Sequence, residues 1–272
     1  MREDRFIIVR GGGDLATGTI HRLWSAGYDV LVLETDAPAA IRRQVSVCEA
    51  VYSKETVIEG MKARLISDYE EAESVLANRE VPVLIDPLGE SITYFKPYIV
   101  VDGIMAKKNL GTNRSMAPVT IAMGPGFEAG VDVDFVIETK RGHDLGRIIR
   151  EGFAVKNSGI PGNIGGFTSE RVMKSPSEGT FIALKKIGDI VKAGEVIAEV
   201  ESADGTRHPV RTEIPGILRG ILENNYKVTK GFKLADVDPR IEELKNCFTI
   251  SDKARCIAGS VLELCAYAFN SK

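Results

Sequence analysis

Arg10-Gly11-Gly12-Gly13-Asp14-Leu15-Ala16-Thr17-Gly18 joins an apolar run to a segment that reads as a helix, and its Gly11-x-Gly13-x-x-Ala16 spacing matches a dinucleotide-binding turn. Glycines at such a bend let backbone N–H groups approach a pyrophosphate closely. The N-terminus of the following helix adds roughly half a positive charge there. Glu34 closes the next apolar run 21 residues after Gly13, where an acid meets a ribose hydroxyl. Gly11, Gly12, Gly13, Asp14, Leu15, Ala16 and Glu34 are therefore candidate cofactor-binding residues. The other reading is a tight glycine turn that serves only helix-sheet packing. Asp14 also weighs against a phosphate, because a carboxylate at the helix start repels it unless the side chain turns away.

Other polar groups follow later apolar runs. Arg42 and Arg43 offer a fork for a phosphate or a pterin-type oxygen, or else a solvated helix face. Asp86 precedes Pro87-Leu88-Gly89, Lys107 and Lys108 follow Asp102, Gly124 and Gly126 flank Pro125, and Arg141 opens Arg141-Gly142-His143-Asp144-Leu145-Gly146. Ligands of open α/β sheets gather at strand carboxyl ends, which adds Arg42, Arg43, Asp86, Lys107, Gly124, Gly126 and Arg141 to the candidate binding set. His143 with Asp144 is the candidate acid/base unit. Adjacency in sequence does not aim a carboxylate at its neighbour's imidazole, so ligand-binding and purely structural roles for His143 stay open.

No nucleophile elbow, HExxH or GxxxxGK[ST] pattern is present, so hydrolysis and ATP-driven phosphoryl transfer lack their usual signatures. His21, His143 and His208 stand far apart and no metal site is expected. Cys48, Cys247, Cys256 and Cys265 include no CxxC and are expected to be reduced.

The elements that must position these residues read as α/β over 1–150. Candidate strands are 6–10, 30–34, 81–86, 98–102, 119–123 and 135–138; candidate helices are 15–26 and 68–79. Near-continuous apolar strands predict a Rossmann-like parallel sheet covered on both faces. Residues 55–66 read instead as a hairpin turning at Glu59-Gly60, an insertion in the pattern. A glycine-rich linker or lid spans 151–169. An internal repeat follows at an offset of 37 residues, with Gly179, Val191, Gly194, Ile197 and Val200 falling on Gly216, Val228, Gly231, Leu234 and Val237. With its Gly188-Asp189-x-Val191-x-x-Gly194 turn, segment 170–240 resembles the biotinyl/lipoyl-type barrel-sandwich hybrid, an all-β domain. No lysine lies between Lys192 and Lys227, so neither biotin nor lipoate is expected. The remainder, 241–272, is a segment packing back, with a helix over 251–269 that Ser251 caps. Its apolar stripe is Ala254, Ile257, Ala258, Val261, Cys265 and Ala268. Cys265 and Cys48 read as packing residues.

The whole chain has 272 residues, 44% apolar and 27% charged, which excludes disorder. Thirty-five basic against 38 acidic residues leave a net charge of -3, so no positive field recruits nucleic acid or anionic lipid. The longest uncharged run outside the glycine stretches, 115–127, is 13 residues and interrupted by proline and glycine, too short to span a bilayer. A cytoplasmic protein is expected.

RGGGDLATG (10–18), AIRRQVS (40–46), MAKKNLGT (105–112), MAPVTIAMGPGFEAGVDVDFVIET (116–139), RGHDLGR (141–147), SGIPGNIGG (158–166) and SDKARCIAGSVLE (251–263) together resemble the YqeB-type family. These are accessory proteins of the selenium-dependent molybdenum hydroxylase system, more distantly similar to the XdhC/CoxI maturation factors. The resemblance implies a factor that holds a molybdopterin dinucleotide for a molybdenum hydroxylase apoenzyme or another maturation protein, with Arg42, Lys107, Arg141 and His143 meeting anionic metal-oxo or dithiolene groups. The fingerprint alone favours the alternative, an NAD(P)-dependent oxidoreductase with His143 as proton donor. A homo-oligomer is compatible with either.

Overall fold

A computed structural model describes residues 5–270, and the chain divides into two compact units. The first comprises the chain up to Pro38, Ser46–Ser158 and the chain from Ile250; the second comprises Ala39–Val45 and Gly159–Thr249.

In the first unit the strands are β1 Phe6–Arg10, β2 Asp29–Glu34, β3 Glu55–Ile58, β4 Met61–Ile66, β5 Val81–Ile85, β6 Ile99–Asp102, β7 Val119–Met123, β8 Glu128–Ala129, β9 Phe135–Ile137, β10 Ile148–Ile149 and β11 Gly152–Phe153. The helices are α1 Asp14–Ser25, α2 Ala50–Ser53, α3 Glu71–Ala77, α4 Ser91–Phe95 and α5 Asp252–Asn270. Nine strands form one sheet, ordered β10-β9-β7-β6-β1-β2-β5-β4-β3, while β8 and β11 pair separately. Alternation along the central strands divides the core. Ile7, Val9, Val30 and Val32 point to a layer containing Ile20 and Leu23 of α1 and Ile257, Val261 and Cys265 of α5. Phe6, Ile8, Leu31 and Leu33 point the other way, to Val75 of α3 and Ile92 and Phe95 of α4. Helices α1 and α5 approach closely, because a Cβ on Gly18 would lie 2.7 Å from Cβ of Ala254.

The second unit carries β12 Val172–Lys174, β13 Gly179–Ala183, β14 Ile190–Val191, β15 Val196–Glu201, β16 Arg207–Arg211, β17 Gly216–Ile221, β18 Lys227–Val228 and β19 Lys233–Asp238. They make two four-stranded antiparallel sheets, β12-β19-β17-β14 and β16-β15-β13-β18. The repeat explains this order. Shifting β13, β14 and β15 by one repeat gives β17, β18 and β19, and each copy lends its short strand to the other copy's sheet. Gly179 and Gly216 mark equivalent points, where a Cβ would run into the carbonyl groups of Glu201 and Asp238. Residues 39–45 join this unit: the N–H of Ile221 donates to the carbonyl of Ile41 at 2.9 Å.

This architecture corrects the expected fold. The large sheet is mixed and not a Rossmann-like parallel sheet, since β3 runs antiparallel to β4 and β10 antiparallel to β9. The physical reason at one edge is the two-residue turn Glu59-Gly60, whose φ values of 46° and 84° return the chain directly and admit no crossover helix. The hairpin is thus no insertion, because β4 pairs in parallel with β5 inside the sheet. The expected barrel-sandwich hybrid is likewise replaced by two separate antiparallel sheets that share no strand.

Candidate functional site

The glycine turn leaves β1 at its carboxyl end and is held on three sides. Gly11, at φ +89°, donates its N–H to the carbonyl of Leu33 at 2.7 Å, and a Cβ on it would lie 2.8 Å from Cα of Ile104. Gly12 accepts from the N–H of Cys48 at 2.9 Å, and a Cβ there would lie 2.8 Å from that nitrogen. Thr17 Oγ1 donates to the carbonyl of Gly13 at 2.9 Å and accepts from the N–H of Val47 at 2.9 Å, closing the third side. Gly13 is different. It is the N-cap of α1 with φ -66° and ψ 175°, no side chain caps the helix, and nothing lies within 4 Å of where its Cβ would be.

Glu34 is committed partly to the turn. Its Oε2 accepts from the N–H of Gly12 at 2.8 Å and its Oε1 from the N–H of Thr35 at 2.9 Å. Burial raises its pKa above the ordinary carboxylate value, against the pull of those two bonds. One N–H of the turn is therefore already satisfied by the chain's own carboxylate, and no side-chain bond caps the start of α1 at Gly13. Cys48 packs under Gly12, and burial, then Glu34, Glu49 and Asp14, push its thiol well up.

Beneath the turn, Arg10 is 1% exposed and ties three strand ends together. Its Nη1 donates to Thr112 Oγ1 at 2.5 Å and its Nη2 to the carbonyl of Pro87 at 2.9 Å, while Thr112 Oγ1 donates to Asp102 Oδ2 at 2.6 Å. Asp86 is spent on the same loop: it accepts from the N–H groups of Gly89, Glu90 and Ser91 and from Ser91 Oγ, at 2.6–3.0 Å. Burial raises its pKa, but these bonds together outweigh burial and hold it below the usual range. Gly124 and Gly126 have packing reasons of their own, because a Cβ would lie 2.7 Å from Thr139 Oγ1 in one case and from the Lys108 backbone in the other. Lys107 is exposed, at φ 63°.

Arg141 pairs bidentately with Asp252, at 2.9 and 3.1 Å, and Ser260 Oγ donates to the carbonyl of Gly146, so this loop docks on α5. His143 and Asp144 are exposed, and Asp144 pairs with Arg147 at 2.7 Å. Among the described residues no recorded bond links His143 to Asp144. Arg42 and Arg43 belong to the second unit, where Arg42 Nη2 donates to the carbonyl of Asn246 at 2.9 Å and Arg43 pairs with Glu223.

Sequence reasoning missed Lys253 as a site residue. It sits in the first turn of α5, half-buried beside the start of α1. Burial and then Arg141 lower its pKa, against the opposite pull of Asp14, Glu138 and Asp252. The signal was available: Lys253 lies four residues before Ile257, at the margin of the buried stripe. Glu138, 3% exposed, accepts from the N–H groups of Lys140 at 2.7 Å and Val155 at 2.8 Å and so fixes the neighbouring loop. A groove of about 1270 Å³ lies elsewhere in this unit, among Tyr69, Tyr94, Phe95, Tyr98 and Met116, and contains no residue of the glycine turn. Among the described residues no group of three or more His, Cys, Asp or Glu is placed to hold a metal, and no helix is long and apolar enough to cross a membrane.

Comparison with known proteins gives one close likeness in sequence. The chain is 44% identical over 259 residues to the uncharacterized protein YqeB of Escherichia coli K12, covering 95% of this chain and 47% of that protein. It is therefore YqeB-like along nearly all its length and spans about half the length of that relative. No family model matches. Among solved structures, an aspartoacylase family protein of Mesorhizobium loti is 12% identical over 80% of this chain and 59% of its own, with a TM-score of 0.26. The product-bound ectoine utilization protein EutE of Ruegeria pomeroyi is 11% identical over 86% and 85%, with a TM-score of 0.29. Scores this low tell nothing of fold or chemistry.

Proposed function

We propose that this chain is a cofactor-handling protein that takes a dinucleotide-type ligand at the open side of Gly13 and the first turn of α1, in the service of a selenium-dependent molybdenum hydroxylase. The observation that carries the reading is Gly13 itself, an uncapped helix start whose Cβ direction opens onto free space while both neighbouring glycines are packed shut. Backbone N–H groups of the first helical turn would take the pyrophosphate, and the macrodipole adds to their pull. Asp14 opposes an anion there; Lys253, close enough to interact with Asp14, offsets it. Glu34 keeps spare lone pairs on both oxygens for a sugar hydroxyl. Ile85, 44% exposed and paired with Glu34 in the sheet, and Leu88, 71% exposed, offer apolar surface to a base.

The ligand is a molybdopterin dinucleotide in this reading, and NAD(P) is its competitor. When bound, the pterin would supply the dithiolene that carries the metal, and the chain's own residues bind and orient it. The partner is the hydroxylase apoenzyme or another maturation protein. The likeness to the uncharacterized protein YqeB supports the family part of the proposal. The test is mass spectrometry of small molecules that co-purify from molybdopterin-producing cells, together with titration of the purified chain. Tight binding of the pterin dinucleotide with weak binding of NADH and NADPH is the expected result. Tight NAD(P)H binding with hydride transfer to a small carbonyl would replace this proposal with the oxidoreductase that uses His143.

A further inference from the structure

Strand β1 has β2 on one side and β6 on the other, both parallel to it, so the sheet is built outward in two directions from β1. Such a reversal opens a crevice at the carboxyl ends of the strands where it occurs, and ligands of open α/β sheets gather there. Two loops border this crevice. One is the glycine turn after β1, and the other, residues 103–112, follows β6.

The second loop is fixed from inside the fold. Asp102, 1% exposed, accepts at Oδ1 from the N–H of Ile104 at 3.1 Å and at Oδ2 from Thr112 Oγ1 at 2.6 Å, so one buried carboxylate holds both ends. Asn109 braces the far side: its Nδ2 donates to the carbonyl of Thr112 at 2.8 Å and its Oδ1 accepts from the N–H of Gly111 at 2.8 Å. Three glycines clamp the near side. A Cβ on Gly11 would lie 2.8 Å from Cα of Ile104, one on Gly124 would lie 3.3 Å from Cε of Met105, and one on Gly126 would lie 2.7 Å from the nitrogen of Lys108. Held in this way, Met105 and Lys107 sit at φ 61° and 63°, while Ala106 between them and Lys108 after them keep negative φ. A side chain at positive φ is unfavourable, and two of them one residue apart persist only where the surroundings impose them. Glycine at 107 would relieve the backbone, yet the chain carries a lysine there. Alternating left- and right-handed residues turn successive N–H groups toward one concave side, which is the arrangement of an anion nest. The N–H groups of Met105, Ala106, Lys107 and Lys108 have no recorded acceptor among the described residues, and neither lysine has a recorded ion pair there.

We propose that residues 105–108 form an anion nest for an oxyanion of the phosphate class, with Lys107 supplying the charge, beside the glycine turn in the same crevice. The nest needs neither Gly13 nor the first turn of α1, so it stands or falls apart from the dinucleotide reading. Inorganic phosphate is the probe, titrated calorimetrically into the full chain at constant ionic strength against chloride. A Gly13→Val background takes the start of α1 out of the signal and should still bind phosphate. Adding Lys107→Gly should weaken that binding at least about tenfold without lowering the melting temperature, because glycine accepts φ 63° with no side chain to strain. Lys107→Gln takes its place should that chain not fold. Gly126→Ala in the same background leaves every charge in place and drives a Cβ into the peptide joining Lys107 to Lys108, and it should weaken phosphate binding as well. Phosphate binding no stronger than chloride, or equal with and without the change at Lys107, overturns the proposal, as does full affinity in a folded Gly126→Ala chain. If Gly126→Ala fails to fold, the comparison at Lys107 decides alone.

Discussion

Gly13→Val separates the ligand reading from the packing reading, because the three glycines of the turn differ in what a side chain would meet. At Gly13 the backbone sits at φ -66° and ψ 175°, extended geometry that a β-branched residue adopts readily, and nothing lies within 4 Å of the added Cβ. The cost to the fold is the poorer N-cap, about 1 kcal/mol. For a chain of this size that is a fall of roughly 2–4 °C in melting temperature. Gly12→Ala instead drives a Cβ to 2.8 Å from the Cys48 nitrogen, which is already bonded to Gly12, and overpacking of this kind costs about 1–3 kcal/mol. Gly11→Ala meets Ile104 Cα at 2.8 Å and adds about 1–2 kcal/mol for a side chain held at φ +89°. Thermal melts of the three variants should therefore rank Gly13→Val least damaged, and titration with the dinucleotide ligand should show Gly13→Val weakened at least about tenfold although it is folded. Ligand affinity unchanged in a folded Gly13→Val chain would refute the cradle. A Gly13→Val chain as damaged as Gly11→Ala would refute the geometry on which the cradle rests.

Cys256 is the exposed cysteine, whereas Cys48, Cys247 and Cys265 are buried, with the Cys265 thiol pushed up to about 12 by burial. Alkylation of the native chain at pH 8, read by peptide mass, should mark Cys256 first and the others only after denaturant. Arg171→Met strands Asp236 as an uncompensated buried carboxylate and should cost about 3–5 kcal/mol in urea unfolding, and a second change, Asp236→Leu, should recover a large part of it. Asp86, held below the ordinary carboxylate range, contributes stability that is fully present above its unfolded-state pKa and lost as pH falls through its folded pKa. Asp86→Asn should lower stability at neutral pH and flatten the acid limb of a melting profile; an unchanged acid limb would show that the loop after β5 does not depend on that carboxylate.

Legibility followed the range of the interactions involved. The strands at 6–10 and 119–123 coincide with β1 and β7 because each is an apolar run whose burial is set within five residues. The tail helix was equally local: Ser251 Oγ accepts from the N–H of Ala254 at 3.2 Å, and every stripe residue from Ala254 to Ala268 is buried. The repeat carried its own topology, since neither copy can close a sheet alone. Direction of pairing was legible at one edge, where the Glu59-Gly60 turn marks the antiparallel β3-β4 hairpin, and not at the other, where β10 carries no residue pattern that distinguishes a parallel from an antiparallel neighbour. Nor could spacing show that Arg42 and Arg43 cross into the second unit, where Ile41 accepts from the N–H of Ile221, Arg42 donates to the carbonyl of Asn246 and Arg43 pairs with Glu223.

The site shows the same limit from the other side. Glycine and carboxylate patterns identify residues that backbone geometry singles out, and Gly12 and Glu34 are indeed bonded to each other. That bond changes the chemistry inferred from the pattern. Once Glu34 holds the Gly12 N–H, an incoming phosphate gains nothing from Gly12 and must rely on the helix start and on a cation. A half-buried cation that interacts with Asp14 is Lys253, more than two hundred residues away in the chain and brought there because Gly18 has no side chain to keep α1 and α5 apart. An anion site at this turn therefore depends on the packing of the last helix as much as on the fingerprint. Gly18→Leu, which would force the helices apart while leaving Gly11 to Gly13 untouched, should weaken dinucleotide binding together with the melting temperature. Full affinity in a folded Gly18→Leu chain would show that the turn binds its ligand without Lys253.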